Sequence, residues 1–125
     1  MSAKRFRRDL SVVVPIKDEA KSLLILHQEL TRVISKLKRS YEIIYIDDGS
    51  TDNTETELLS IQKNDNHVKL IRFHANFGKS AGLLAGFTNA SAAIIITLDS
   101  DLQDDPSDIP ALLKKLESGY DKLDT

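Results

Sequence analysis

The feature that most constrains this chain is an alternation of four short apolar runs with four helical patterns along 125 residues. The first run, Leu10 to Pro15, is rich in valine and closed by a proline. Residues 19–38 then carry Leu23, His27, Leu30, Ile34 and Leu37 at helical spacing. The second run, Tyr41 to Ile46, stops at Asp47-Asp48-Gly49-Ser50. Capping residues near Asp52 and Thr54 start the next helix. The third run, Val68 to Phe73, leads into a small-residue helix over Gly78 to Asn89, with Ala81, Leu84, Ala85 and Thr88 on one face. The fourth run, Ala92 to Leu98, is apolar nearly throughout, the pattern of a strand covered on both faces. Pro106 suits the first turn of a last helix, with Ile109, Leu112, Leu113 and Leu116 as its inner stripe and Gly119 as its stop.

Such an order predicts an α/β fold, a Rossmann-like doubly wound and mainly parallel sheet with helices on both faces. Residues 1–9 form a basic tail containing Lys4, Arg5, Arg7 and Arg8, and residues 10–125 form one domain. A chain of this length can bury a sizeable core.

Composition removes several function classes. A net charge of −2 argues against nucleic-acid binding, which needs a strongly basic surface. The absence of cysteine excludes disulfides, thiolate metal sites and cysteine nucleophiles. Apolar runs fall short of the roughly 20 residues that span a bilayer. The stretch after the basic start is too short for a signal peptide and runs into Lys17, Asp18 and Glu19. A cytoplasmic location is expected, with the basic tail able to hold the chain weakly at the inner face of a membrane.

In an open parallel sheet, ligands bind beyond the carboxyl ends of the strands. Here every strand ends in polar groups. Lys17, Asp18 and Glu19 follow the first, and Asp47 and Asp48 the second. His74, Asn76, Gly78 and Lys79 follow the third, and Asp99, Asp101, Gln103, Asp104 and Asp105 the fourth. Aspartate is a common turn residue, which accounts for part of this list. Carboxylates crowded at one rim repel unless a cation lies among them. Asp99-Ser100-Asp101 is the sharpest element, because two carboxylates one residue apart can point the same way from an extended chain. Oxygen ligands of this kind suit magnesium or manganese, and Gln103 could add a neutral oxygen. The segment Asn76-Phe77-Gly78-Lys79-Ser80-Ala81-Gly82 opens a helix with small residues and a lysine. It suits phosphate and equally suits a tightly packed helix start. It is not a Walker A loop. Of the three histidines, His27 falls on an inner stripe, His67 on the surface, and His74 at the active rim.

The stretches VVVPIKDEA, EIIYIDDGSTDNT, HANFGKSAGLLAGF and IIITLDSDLQDDPSDIPALL, in that order, resemble the family 2 glycosyltransferases of GT-A fold. The last two blocks are most similar to the polyprenyl-phosphate branch, which uses dolichol or undecaprenyl phosphate as lipid acceptor. The resemblance covers about Leu10 to Asp121. It implies an enzyme of lipid-linked glycan or cell-wall biosynthesis that binds a nucleotide-diphosphate sugar, with a UDP-sugar favoured. It implies inverting transfer to a polyprenyl-phosphate-type acceptor, with Mg2+ or Mn2+ as cofactor. By the same likeness Pro15, Lys17 and Glu19 line the base and ribose pocket and Asp48 contacts the base. Lys79 lies near the diphosphate, Asp99 and Ser100 contact the donor, and Asp99, Asp101 and Gln103 hold the metal.

Three departures stand out. Lys17 and Asp18 replace the usual aromatic residue and asparagine, and Ala75 replaces an arginine often found before Asn-Phe-Gly. The family's catalytic domain also runs well past this length, so the chain is expected to be a truncated, donor-binding part, with no catalytic base assigned. A half-domain of this kind could expose an apolar edge and self-associate. The alternative function is a catalytically inactive nucleotide-binding or assembly module. A receiver-type signalling domain fits less well, since its acidic pair belongs after the first strand.

Overall fold

A computed structural model of the chain describes residues 8–99 and 104–123. Four parallel strands form one sheet: β1 (Arg8–Ile16), β2 (Tyr41–Asp48), β3 (Val68–Phe73) and β4 (Ala92–Thr97). Helices α1 (Leu23–Ser35), α2 (Thr54–Asn64), α3 (Lys79–Asn89) and α4 (Ile109–Leu123) alternate with them, α4 being preceded by a 3-10 turn at Pro106–Asp108. The strand order is β3-β2-β1-β4. The predicted alternation is therefore present, and β1 begins at Arg8, two residues before the first apolar run.

Side-chain alternation divides the core. Leu10, Val12, Val14 and Ile16 of β1 pack with Ile43 and Tyr45 of β2. The helices on that face supply Leu23, Leu30 and Ile34 of α1, Leu58 and Ile61 of α2, and Ile109 and Leu113 of α4. On the other face Val13, Ile44 and Ile46 meet Leu83 of α3. Three helices thus cover one face and α3 covers the other, the doubly wound arrangement.

Pro15 sits within the central strand, where proline is normally excluded. The last β1–β4 pair is Val13 with Thr97. Val13 presents its carbonyl to β4, accepting from the Leu98 N–H at 2.9 Å. Two residues on, the Pro15 nitrogen faces the same side, past the end of the ladder, so its missing N–H removes no strand hydrogen bond.

Three expectations about faces need correction. In α3 the buried residues are Gly82 and Gly86. Leu84 is 66% exposed, and Thr88 is exposed too, so the face drawn through them is not the inner one. The reason is close approach: a Cβ at Gly86 would stand 2.3 Å from Cγ1 of Val13. The helix is seated by its glycines, not by its large side chains. In α4 only Ile109 and Leu113 of the expected stripe are buried, while Leu112 and Leu116 are exposed. Strand β4 lies at the edge of the sheet, with Ala93 and Thr97 exposed and Ile94 and Ile95 half-buried. Its apolar sequence is not matched by cover on both faces among the described residues.

Candidate functional site

The chain goes from β1 to β2 to β3 in one direction and then returns to place β4 on the far side of β1. That reversal makes a crevice at the carboxyl ends of β1 and β4. A pocket of about 200 Å³ opens on this rim, lined by Pro15, Ile16, Lys17, Asp48, Asn76, Gly78 and Lys79. Four residues singled out from sequence, Pro15, Lys17, Asp48 and Lys79, are brought together there. Ile16, Asn76 and Gly78 complete the wall. Glu19 does not line it.

Asp48 ends β2 and is 7% exposed. Its carboxylate accepts the N–H groups of Phe77 at 2.7 Å and Gly78 at 3.1 Å. The Asn76 side chain adds a second acceptor for Gly78 N–H at 3.1 Å. Asp48 therefore shapes the loop that opens α3. Gly78 precedes that helix with φ of +96°, a conformation open to glycine. Gly49 is under a harder constraint, since its Cβ would fall 2.4 Å from the Ala75 carbonyl carbon. The loops after β2 and β3 touch through that missing side chain. Gly78, just before α3, and Lys79, its first residue, line the pocket together, and a helix start with a lysine is a combination that attracts phosphate.

Lys79 also reaches across to β4. Its Nζ lies 2.5 Å from Oδ2 of Asp99, which is only 14% exposed. The base of the loop after β4 is closed by two reciprocal bonds. Asp99 N–H donates to the Asp104 carboxylate at 2.8 Å, and Asp104 N–H donates to the Asp99 carbonyl at 3.2 Å. Asp105 then caps the following turn by accepting from Ser107 N–H at 2.9 Å. Asp104 and Asp105 are accounted for by this local geometry. Ser100, Asp101 and Gln103 lie outside the described residues. Among the described residues no three His, Cys, Asp or Glu side chains gather as a metal site. What the rim does offer a divalent ion is a half-buried hard oxygen donor, Asp99, already matched to a cation in Lys79.

The loops after β1 and β2 are stitched to each other. Asp18 has φ of +52°. Its carboxylate accepts Thr51 N–H at 2.8 Å and its own N–H donates to Ser50 Oγ at 2.9 Å. The Thr51 bond comes first among the causes that hold the Asp18 carboxyl below its ordinary range. Glu19 N–H donates to Thr54 Oγ1 at 2.9 Å, and Ala20 N–H to Asp52 at 3.3 Å. The Glu19 carboxylate accepts from Ser22 Oγ at 2.9 Å. Asp18, Ser50, Asp52 and Thr54 are positioning groups that residue types alone did not reveal. Their signal was the density of short polar side chains in two loops meeting at one rim.

Two polar clusters lie away from this pocket. His27 Nδ1 is 2.7 Å from Tyr45 Oη, and its Nε2 is 2.9 Å from Asp65. Burial pushes the His27 pKa down, and Asp65 offsets only part of that. His27 is a packed residue, as its helical position suggested. His67 stacks on Tyr41 with ring centroids 4.2 Å apart. His74 is exposed beside Phe77, outside the pocket lining. At the opposite edge of the sheet, buried Glu42 accepts from Ser11 Oγ at 2.6 Å and Ser91 N–H at 2.6 Å, and pairs with Lys69 at 2.8 Å. Burial alone would raise its pKa, but these donors bring it down to about 2.

The family model "Glycosyl transferase family 2" matches residues 11–123. An undecaprenyl-phosphate 4-deoxy-4-formamido-L-arabinose transferase of Yersinia pestis (strain Pestoides F) is 41% identical, across the whole chain and 38% of that relative. The chain thus spans well under half the length of the curated relatives it matches. The crystal structure of S. aureus TarS 1-349 in complex with UDP-GlcNAc superposes with a TM-score of 0.61 at 26% identity, covering 74% of this chain and 26% of that one. Glucosyl-3-phosphoglycerate synthase from Mycobacterium tuberculosis, in complex with Mn2+, UDP and glucosyl-3-phosphoglycerate, superposes with a TM-score of 0.64 at 24% identity, covering 88% and 40%. The parallel α/β arrangement is that of the GT-A glycosyltransferases, present here as part of a domain. On the family match and the close relative together, the chain belongs to glycosyl transferase family 2.

Proposed function

We infer that the rim pocket binds the donor of a glycosyl transfer, a nucleoside-diphosphate sugar, with a UDP-sugar favoured. The observation that carries this is the joining of three strand ends at one pocket, with Lys79 reaching from it to Asp99. Pro15, Lys17 and Asp48 make the wall for base and ribose. The start of α3 and Lys79 take the diphosphate. The TarS structure described above holds UDP-GlcNAc, which supports the choice of base.

Asp99, Asp101 and Gln103 would hold Mg2+ or Mn2+, with Ser100 at the donor. A divalent ion there supplies charge neutralisation of the departing nucleoside diphosphate. The acceptor is a polyprenyl phosphate, as the name of the Yersinia pestis relative supports. An acceptor phosphate oxygen forms the new bond to the anomeric carbon while the bond to the nucleoside diphosphate breaks on the opposite face, giving inversion. The reaction takes place at the inner face of a membrane, in lipid-linked glycan synthesis. Among the described residues no helix is long and apolar enough to cross a membrane.

Calorimetric titration of the chain with UDP and GDP, with and without Mn2+, tests the donor site. UDP is expected to bind more tightly with metal. Asp99→Ala should weaken that metal-dependent binding about tenfold, the loss of a charge-assisted contact. A variant that binds like the parent contradicts the assignment. UDP binding in a full-length protein that transfers no sugar to a polyprenyl phosphate favours the non-catalytic module instead.

A further inference from the structure

We propose that Lys79 is the built-in counter-ion of Asp99, and that it makes cation and diphosphate bind cooperatively by exchanging partners. The proposal rests on the donor-site reading and adds a coupling between its two ligands. Asp99 is a carboxylate only 14% exposed at the tip of an edge strand. A carboxylate so placed is costly without a neighbouring positive charge. Lys79 supplies one from the first position of α3, 2.5 Å away, while its own side chain stays 45% exposed. The lysine thus borders the pocket and the β4 tip at once. Its long stem can swing between the two without moving the helix.

An ammonium and a divalent ion compete for the same carboxylate oxygen. A cation entering alone must displace Lys79 and leave that ammonium beside a second positive charge. A diphosphate in the pocket removes the conflict, because its oxygens draw Lys79 off Asp99 and open the carboxylate to the metal. The reverse holds by linkage: metal on Asp99 frees Lys79 for the diphosphate. Neither ligand needs a backbone rearrangement for this exchange. Asp48 and Gly78 fix the loop from which Lys79 starts, and Asp104 fixes the loop from which Asp99 projects.

The test is Mn2+ binding to the 125-residue chain, read by the loss of the free-ion electron paramagnetic resonance signal, with and without UDP. Lys79→Met and Lys79→Gln remove the ammonium at an exposed position. Both are expected to bind Mn2+ alone about three- to tenfold more tightly than the parent, the range of a partly exposed ion pair. Both should bind metal-free UDP more weakly by a similar factor. The enhancement of Mn2+ binding by UDP should shrink accordingly. Mn2+ affinity unchanged or lowered in both variants, with UDP still bound, overturns the proposal and leaves the donor site standing. Absence of Mn2+ and UDP binding in the parent overturns the donor site and the proposal together.

Discussion

Asp18 shows how one side chain answers to two demands. Its backbone is left-handed, at φ of +52°, and its carboxylate holds Thr51 N–H of the neighbouring loop. Aspartate and asparagine both tolerate that conformation and both present the acceptor. The replacement of the family's usual asparagine therefore keeps the stitch between the loops. Glu42 is a buried residue whose charge bears on stability. Its folded pKa of about 2 lies below the ordinary 4.5, so its stabilisation is complete above pH 4.5 and is lost as the pH falls towards 2. Glu42→Gln should lower stability at pH 7 by about 1–3 kcal/mol, the cost of weakened buried hydrogen bonds. Urea unfolding at pH 7 and pH 3 measures this, and the gap between variant and parent should narrow at pH 3. An equal gap at both pH values would contradict the assignment. The place of Lys79 and Asp99 on the carboxyl rim was legible because both are charged side chains that follow strands. The tie from Asp48 to the loop before α3 was not legible, because a carboxylate in a sequence does not say which N–H it will accept.

At the scale of elements, α3 and β1 fit by subtraction. Gly86 lies against Val13, with a Cβ position 2.3 Å from Cγ1 and 3.0 Å from Cγ2. Alanine would normally favour a helix over glycine by about 1 kcal/mol. Gly86→Ala should nonetheless destabilise the chain, since overpacking costs about 1–3 kcal/mol. Combined with Val13→Ala, which makes room, the pair should be more stable than the two single effects summed, by about 1–2 kcal/mol. Thermal or urea unfolding of all four proteins closes this cycle, and simple additivity would argue against the contact. Element type was readable because apolar runs of strand length alternate with helical spacing. The inner face of α3 was not, because a pattern search looks for large apolar side chains and this interface is built on their absence. The exposure of β4 was hidden for a related reason: Ile94 to Ile96 read as buried whichever place in the sheet they take.

For the whole molecule, parallel strands put every carboxyl end on one edge, so four separate sequence blocks meet there without any of them encoding the meeting. The alternation of elements established this edge. The order β3-β2-β1-β4, which sets Lys79 opposite Asp99, is a property of tertiary packing and cannot be read from alternation alone. Nuclear magnetic resonance of the 15N-labelled chain titrated with UDP and Mg2+ tests whether the carboxyl edge is the donor site. Amide shifts are expected to concentrate at Lys17, Asp48, Asn76, Gly78, Lys79 and Asp99, the groups gathered on the carboxyl edge. Shifts centred instead on His27, Asn64 and His67, in the groove between α1 and α2, would contradict it, as would a spectrum that does not change.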